Sequence, residues 1–156
     1  MITVQVKSAG VEEWFKNLTM RSNSLTSFLN KNVVAQYRNL QRKRWMTENE
    51  SETGQWMPLN PTYRTRKLKQ FQAYPGRGTK MLVATNTLFK SVIGPGEGFR
   101  KIVTPKQLIL GTAIPYATHV DELRTFTTWG DESKKVFSEM ITDYIFKNRI
   151  RTYTNV

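Results

Sequence analysis

The sequence predicts an α+β fold, in which long N-terminal amphipathic helices pack on a small antiparallel sheet, with short helices and a C-terminal helix. Apolar residues recur at helical spacing through the N-terminal third and again near the C-terminus. Between these regions, two short apolar segments joined around Pro105 and Lys106 predict a β-hairpin. With 156 residues and no internal repeat, the chain is expected to form one domain, residues 1–156.

The N-terminal region is predicted to begin with a short strand and to continue as helices. Ile2, Val4 and Val6 alternate with polar residues, which is typical of a strand. Helical spacing begins after Gly10, is interrupted around residues 21–24, and resumes over residues 25–46 as a helix of about 33 Å. The first apolar stripe contains Val11, Trp14, Phe15 and Leu18, and the second contains Leu25, Phe28, Leu29, Val33, Tyr37 and Leu40.

The middle of the chain is predicted to be a rigid elbow between two exposed loops, near residues 47–55 and 71–80. Asn60 precedes Pro61, which is the order expected of a helix N-cap followed by proline at the first helical position. A short basic helix is therefore expected over residues 62–70. The apolar residues before it, Trp56, Met57 and Leu59, are expected to bury beside the long helix.

The C-terminal half is predicted to contain a helix, the hairpin and two further helices. A short helix begins near Thr85 and ends at the glycine-rich turn 94–98, and the hairpin strands cover residues 99–103 and 107–111. A proline-initiated helix is expected near residue 115, followed by a last helix that Asp131 caps. The stripe of that helix is Val136, Phe137, Met140, Ile141, Tyr144 and Ile145, and a basic tail follows over residues 147–156.

Positive charge dominates the composition. Lys and Arg number 24 against 12 Asp and Glu, which gives a net charge of +12 and a pI near 10.1. No acid occurs between Trp14 and Thr47, and none from Thr53 to Gly96. Such a surface attracts nucleic acid or an acidic protein surface, although a solvated basic face is the simpler alternative. The candidate contact residues are Arg38, Arg42, Lys43, Arg44, Arg64, Arg66, Lys67 and Lys69, and Arg38, Arg42 and Lys43 lie off the apolar stripe and are expected to face outwards.

The sequence predicts neither catalysis nor a bound cofactor or metal. There is no cysteine and one histidine, His119, so thiolate sites and multi-histidine metal sites are excluded. No phosphate-binding loop or dinucleotide fingerprint occurs. Aromatic residues could stack on nucleic acid, but core packing accounts first for Trp14, Tyr37 and Tyr144. No signal sequence and no run of about 18 apolar residues is present, so a cytoplasmic start without a membrane contact is expected.

Four sequence elements occur in an order that resembles one protein family. They are Gly54-x-Trp56-x-Pro58-Leu59-x-Pro61-Thr62 with the basic run after it, "TNTLFKS" (85–91), "LILGTAIPYATHV" (108–120) and "RTF" (124–126). Together they resemble the phage virion morphogenesis family of tail completion proteins, over residues 10–147. Asn86 stands where the family has glycine, His119 comes one position early, and a glycine expected after it is absent. The residues that carry the resemblance are Trp56, Pro58, Leu59, Pro61, Leu88, Tyr116, Arg124 and Phe126.

The resemblance implies a structural role in the virion neck or tail end. Such proteins complete the tail and join it to the DNA-filled head as part of an oligomeric ring, with a hexamer favoured, around the DNA channel. The implied partners are further copies of the chain, head connector or adaptor proteins, tail terminator or tail tube proteins, and channel DNA held by non-specific contacts. The implied location is the virion, with the host cytoplasm during assembly.

Three alternatives stay open at the level of sequence. A non-enzymatic nucleic-acid-binding protein would also be basic, but it needs exposed base-reading residues that the pattern does not indicate. A nuclease or wall hydrolase lacks enough catalytic candidates. A tail terminator of unrelated fold would have the same biology.

Overall fold

Helices make up most of the described chain, and an antiparallel hairpin completes the predicted α+β class. The computed structural model describes residues 9–71 and 80–150. The predicted strand at Ile2, Val4 and Val6, most of the predicted loop 71–80, and the tail after residue 150 lie outside these residues. The elements are α1 (Ala9–Asn23), α2 (Thr26–Phe28), a π-helical turn (Leu29–Val33), α3 (Val34–Met46), α4 (Pro61–Gln70), α5 (Thr87–Ile93), β1 (Phe99–Val103), β2 (Leu108–Thr112), α6 (Ala117–Leu123) and α7 (Asp131–Lys147).

The predicted long helix is confirmed as a continuous helical segment, residues 26–46, made of α2, the π-helical turn and α3. The predicted break is also confirmed, because Ser24 and Leu25 separate it from α1. The Leu25 amide is satisfied by the Pro105 carbonyl at 2.8 Å, which fixes the start of the long helix beside the hairpin turn. The π-helical turn adds a residue to one turn of the helix. Val33 and Val34 are both buried there, so the same helix contributes to two cores.

Two hydrophobic cores lie along the long helix. In the first core, Trp45 makes edge-to-face contacts with Trp56 and Phe126, both at ring-centroid distances of 5.5 Å. In the second core, Phe28 stacks on Tyr144 at 4.2 Å, so the predicted apolar stripe of α7 is confirmed. The first core contains Tyr37, Trp45, Trp56, Met81, Leu88, Val92, Ala117 and Phe126, and the second contains Leu25, Phe28, Leu29, Val33 and Met140.

The β-hairpin connects the two cores. Strands β1 and β2 pair antiparallel with Ile102 opposite Ile109, and β2 lies one residue later than predicted. Leu110 packs on the first core, while Val103 and Leu108 pack on the second. Since successive side chains alternate between the faces of a strand, Ile102 and Ile109 are left on the exposed face.

The elbow before α4 has the predicted cap. The Asn60 side chain accepts a hydrogen bond from the Thr62 amide at 2.9 Å, and Pro61 occupies the first turn. Trp56 is buried and Leu59 packs at the edge of the first core. The prediction that Met57 is also buried is wrong, because Trp56 and Leu59 take the inward positions and the Met57 side chain is 74% exposed.

Candidate functional site

The structure divides the predicted basic contact residues between the surface and the interior. Five are exposed, one is half-buried and two are buried. The exposed residues are Arg42, Lys43, Arg64, Arg66 and Lys69, the half-buried one is Arg38, and the buried ones are Arg44 and Lys67. The Arg38 Nε donates to the Ile93 carbonyl at 3.0 Å, so this side chain bridges α3 and α5.

The prediction that Arg44 is a surface contact is wrong. Its side chain is 0% exposed, and it donates to the carbonyl oxygens of Phe126 and Thr128. Glu52 lies 3.5 Å from its Nη2, and the guanidinium lies 4.7 Å above the Trp129 ring. Burial lowers the pKa of Arg44, and the charge of Glu52 opposes this effect. Arg44 is therefore an internal support for the segment that follows α6.

Glu52 extends this support to the last helix. Its carboxylate accepts from the Gly130 amide at 3.0 Å and from the Ser133 hydroxyl at 2.7 Å. Gly130 is in direct contact with the turn, since a Cβ added there would lie 2.7 Å from the Glu52 carbonyl oxygen. The predicted exposed loop at 47–55 is an ordered turn region that is exposed at residues 50 and 53–55 but buried at Asn49 and the Glu52 side chain, and it joins α3 to the start of α7. We call Arg44, Glu52 and their partners the buried node.

Lys67 is the second basic residue whose predicted exposure is wrong. Only 3% of the residue is exposed, and its Nζ donates to the carbonyl oxygen of Lys80. Burial lowers the pKa of Lys67, while the charge of Glu48 opposes the shift and that of Arg124 adds to it. Tyr63 and Lys67 lie four positions apart on α4 and line the same cavity as Leu59, which places the Lys67 side chain against the protein.

The rest of α4 forms an exposed basic surface. Every α4 residue except Lys67 is exposed, and the helix has no acid. Arg66 lies 5.3 Å from the Tyr63 ring, so part of this surface is a cation over an aromatic face. A ten-residue helix is marginal on its own in water. We call Arg64, Arg66 and Lys69 the α4 surface.

A second basic feature lies at the end of α3. A cavity of about 270 Å³ between α3 and α5 has Trp45, Val83 and Phe89 in its apolar lining and Arg42 and Lys80 at its sides, with no acid among the lining residues. Lys80 Nζ donates to the Met46 carbonyl at 3.1 Å, at the C-terminus of α3. We call this cavity the α3–α5 notch. The notch can accept an apolar side chain that has an acidic side chain next to it, because its apolar lining lies beside Arg42 and Lys80.

A third concave feature is an apolar groove between α4 and α6. Its cavity of about 350 Å³ is lined by Leu59, Tyr63, Leu82, Tyr116 and Leu123 among others, with Lys67 and Arg124 as its cations. Tyr116 and Leu123 are 49% and 60% exposed. The groove therefore exposes apolar side chains but fewer cations than the notch, where Arg42 and Lys80 are both exposed.

The residues that carry the family resemblance come together, for the most part, in one place. Trp56, Leu88 and Phe126 belong to the first core and Leu59 packs against it. The Trp56 Nε1 donates to the Thr125 carbonyl at 2.9 Å, and the Arg124 Nε donates to the Met57 carbonyl at 3.1 Å. The elbow is thus clamped to the "RTF" segment. The remaining residues of the set lie outside the core: Pro61 begins α4, while Pro58 and Tyr116 are exposed.

One exposed surface was missed by sequence reasoning. Trp14 and Phe15 are 45% and 55% exposed, so the expectation that they pack in the core is wrong. Among residues 12–23 of α1, which packs on α7, only Leu18, Arg21 and Ser22 are half-buried, and the rest are exposed. An apolar stripe at helical spacing cannot by itself tell a core from an interface. The pair Glu12–Glu13 directly before Trp14 was the available sign of a solvent-facing segment.

The described residues offer no metal-binding cluster. His119 is exposed on α6, with its Nδ1 3.8 Å from a Glu122 oxygen. Within residues 9–71 and 80–150, no group of three His, Cys, Asp or Glu side chains is placed to hold a metal ion. Among the helices of the same residues, none combines the length and apolarity needed to cross a bilayer.

Comparison with known proteins adds no identity: no family model, no curated protein and no solved structure matches this chain at a significant level.

Proposed function

We propose that this chain is a structural phage virion protein of the neck or tail end, which completes the tail and joins it to the DNA-filled head as part of a ring around the DNA channel. The observation that carries the proposal is the convergence of the resemblance residues. Trp56, Leu59, Leu88 and Phe126 are spread over 70 positions of sequence, yet they share one core. Two polar contacts join the same motifs: the Trp56 Nε1 donates to the Thr125 carbonyl, and the Arg124 Nε donates to the Met57 carbonyl.

The surface chemistry is compatible with a ring that surrounds DNA. The α4 surface and the exposed pair Arg42–Lys43 present cations without a neighbouring acid on their own helices. Contacts between such cations and phosphates carry no base information, which suits a channel through which any sequence must pass. The same cations fit acidic surfaces on neighbouring neck proteins. We propose a non-enzymatic role, a hexamer as the favoured ring, and connector or tail tube proteins as neighbours.

Deletion of the gene tests the proposal. Particles from a phage that lacks this gene are expected to be filled heads beside separate tails when viewed by negative-stain microscopy. Tails of normal length would indicate a neck adaptor, and overlong tails a terminator. Intact, joined virions in the absence of the gene would refute the joining role.

Complementation with altered genes shows which basic surface is needed. A gene with Arg42→Glu and Lys43→Glu, or with Arg64→Glu, Arg66→Glu and Lys69→Glu, is expected to lose infectious titre although the purified chain folds. The matched control is Lys106→Glu, an exposed cation at the hairpin turn. Normal titres from both reversed surfaces would contradict the assigned role of these cations.

A non-enzymatic nucleic-acid-binding protein is the second candidate, and the exposed, acid-free α4 surface is the observation that favours it. A salt titration with free duplex DNA separates the two. A ring component is expected to bind free duplex only non-specifically, with a Kd of about 10⁻⁴–10⁻⁶ M at physiological salt. Submicromolar binding by a monomer or dimer would favour the second candidate.

A further inference from the structure

The N-terminal half of α1 projects from the part of the protein that the structure describes. Every residue from Glu12 to Asn17 is exposed, whereas Leu18, Arg21 and Ser22 are half-buried against the rest of the chain. Trp14 and Phe15 make an edge-to-face pair at 5.0 Å on this projecting half. Exposed aromatic pairs of this kind are typical of protein interfaces. We call residues 12–17 the arm.

The arm also carries negative charge, which is scarce in this protein. Glu12 and Glu13 are exposed and directly precede the two aromatic residues. A second copy of the chain carries a net charge of +12, so two copies repel each other unless acid on one meets base on the other. With the exposed cation Lys16 counted, the arm keeps a net negative charge beside two exposed aromatic rings and therefore suits a basic, apolar site.

The α3–α5 notch has the complementary character. Its apolar lining includes Met46, Val83 and Phe89, whose exposed parts offer a surface to an aromatic side chain, while Trp45 is buried. Arg42 and Lys80 stand at its sides, and a guanidinium binds a carboxylate with two parallel hydrogen bonds in the best geometry. The α4–α6 groove is a weaker fit, because its Lys67 is only 3% exposed, whereas Arg42 and Lys80 are both exposed at the notch.

The arm cannot reach the notch of its own chain. Trp14 lies nine residues before the end of α1 at Asn23, a span of about 14 Å along the helix. The long helix then runs from Thr26 to Met46 at the notch, a span of about 30 Å. Even if α1 ran back along the long helix, Trp14 would stay about 16 Å short of Met46 along the axis, so the contact has to come from another copy.

We infer that the arm of one copy docks in the α3–α5 notch of a second copy, with Trp14 and Phe15 against the apolar lining and Glu12 and Glu13 facing Arg42 and Lys80. One patch meets a different patch, so the contact repeats from copy to copy and closes into a ring where the rotation permits. The closed ring, though not the contact itself, rests on the proposed function.

Sedimentation velocity of the purified full-length chain tests the inference. The unaltered chain is expected to self-associate. An arm variant (Trp14→Ala with Phe15→Ala) and a notch variant (Arg42→Glu with Lys80→Glu) are each expected to weaken association about tenfold or more. Mixed together, they are expected to form a 1:1 heterodimer and nothing larger, because only one intact arm and one intact notch remain to meet.

A charge exchange gives the positive control. Glu12→Lys with Glu13→Lys is expected to weaken association alone and to restore it when combined with the notch variant in the same chain. Lys106→Glu serves as the matched control on another surface and is expected to leave association unchanged. All the altered residues except Lys80 lie on helix surfaces or turns, so circular dichroism of the variants is expected to show a native fold. If the notch variant with Lys80→Glu unfolds, Lys80→Ala can replace Lys80→Glu.

Several results would overturn the inference. A chain that remains monomeric at about 100 µM has no such contact of useful strength. Association that survives both variants, or that is lost instead with Leu123→Glu in the α4–α6 groove, assigns the contact elsewhere. The proposed function is tested separately by gene deletion. If deletion gives separate heads and tails, but the arm and notch variants associate as the unaltered chain does, the joining role is supported and this interface is wrong.

Discussion

Replacement of Arg44 by methionine is expected to destabilise the protein severely, although the neighbouring Arg42→Met is expected to be nearly neutral. Arg44 is 0% exposed and supplies hydrogen bonds to two carbonyl oxygens, while Arg42 lies on the exposed face of the same helix. The pair therefore compares the same chemical change, on the same helix, in two environments.

The magnitude follows from what the substitution leaves behind. Glu52, whose side chain is 2% exposed, would lose its buried counter-charge, and the Thr128 carbonyl would lose the charged donor that Arg44 provides. The Phe126 carbonyl keeps a bond from Gln41 at 3.2 Å, so its loss is partial. Breaking a buried ion pair by removing one partner costs about 3–5 kcal/mol. For a chain of this length that corresponds to a fall of about 6–20 °C in Tm.

Urea unfolding followed by circular dichroism measures the difference. Arg44→Met is expected to lower the free energy of unfolding by about 3–5 kcal/mol, and Arg42→Met by less than about 0.5 kcal/mol. Glu52→Gln combined with Arg44→Met is expected to cost less than the sum of the two single changes, because no unpaired charge remains. Equal stability of Arg44→Met and Arg42→Met would refute the buried node.

Three further predictions concern local stability. Burial raises the pKa of Tyr37 to about 12 from 10.0. The contribution of Tyr37 to the free energy of unfolding is therefore fully present below pH 10 and is lost as the pH rises through about 12. Denaturant unfolding across this range should show a loss of about 3 kcal/mol, which Tyr37→Phe is expected to reduce. Gly130→Ala is expected to cost about 1–3 kcal/mol, because its Cβ would lie 2.7 Å from the Glu52 carbonyl oxygen, while Gly111→Ala, with open space around it, is expected to be neutral; equal melting temperatures would contradict this. Asn60→Ala is expected to cost about 1 kcal/mol through loss of the α4 cap, and an unchanged urea midpoint would show that the cap is dispensable.

The elements that the sequence predicted are those determined by local chemistry. The break before Leu25, the Asn60–Pro61 start of α4 and the hairpin around Pro105 each follow from residue types within a few positions of one another. The apolar stripe of α7 also repeats within a single helix. Such signals do not depend on what the element packs against.

The errors concern side chains whose environment is set by distant segments. Arg44 is buried because Glu52 and the carbonyls of residues 126 and 128 surround it. The residues next to Arg44 in the sequence do not indicate these partners. One signal was available: Arg44 follows Leu40 by four positions and Tyr37 by seven, which places it on the apolar stripe. Lys67 shows the same effect, since a lysine can bury its stem on a packed helix face.

The exposed aromatic arm shows the opposite error. Trp14 and Phe15 have the spacing of a core-facing stripe, but every residue from Glu12 to Asn17 is exposed. Periodicity identifies the apolar side of a helix and not the molecule that covers it. The arm therefore emerged as a candidate interaction surface only from burial in three dimensions, whereas the exposed cations of α4 were already candidates in the sequence.

The most direct test of the joining role is a cryo-electron microscopy reconstruction of the neck of intact virions that carry this chain. We expect a ring of copies around the DNA channel between connector and tail tube, with the α1 arm of each copy against the α3–α5 notch of the next. Virions whose neck density is fully explained by other proteins, with this chain absent from the purified particle, would contradict it.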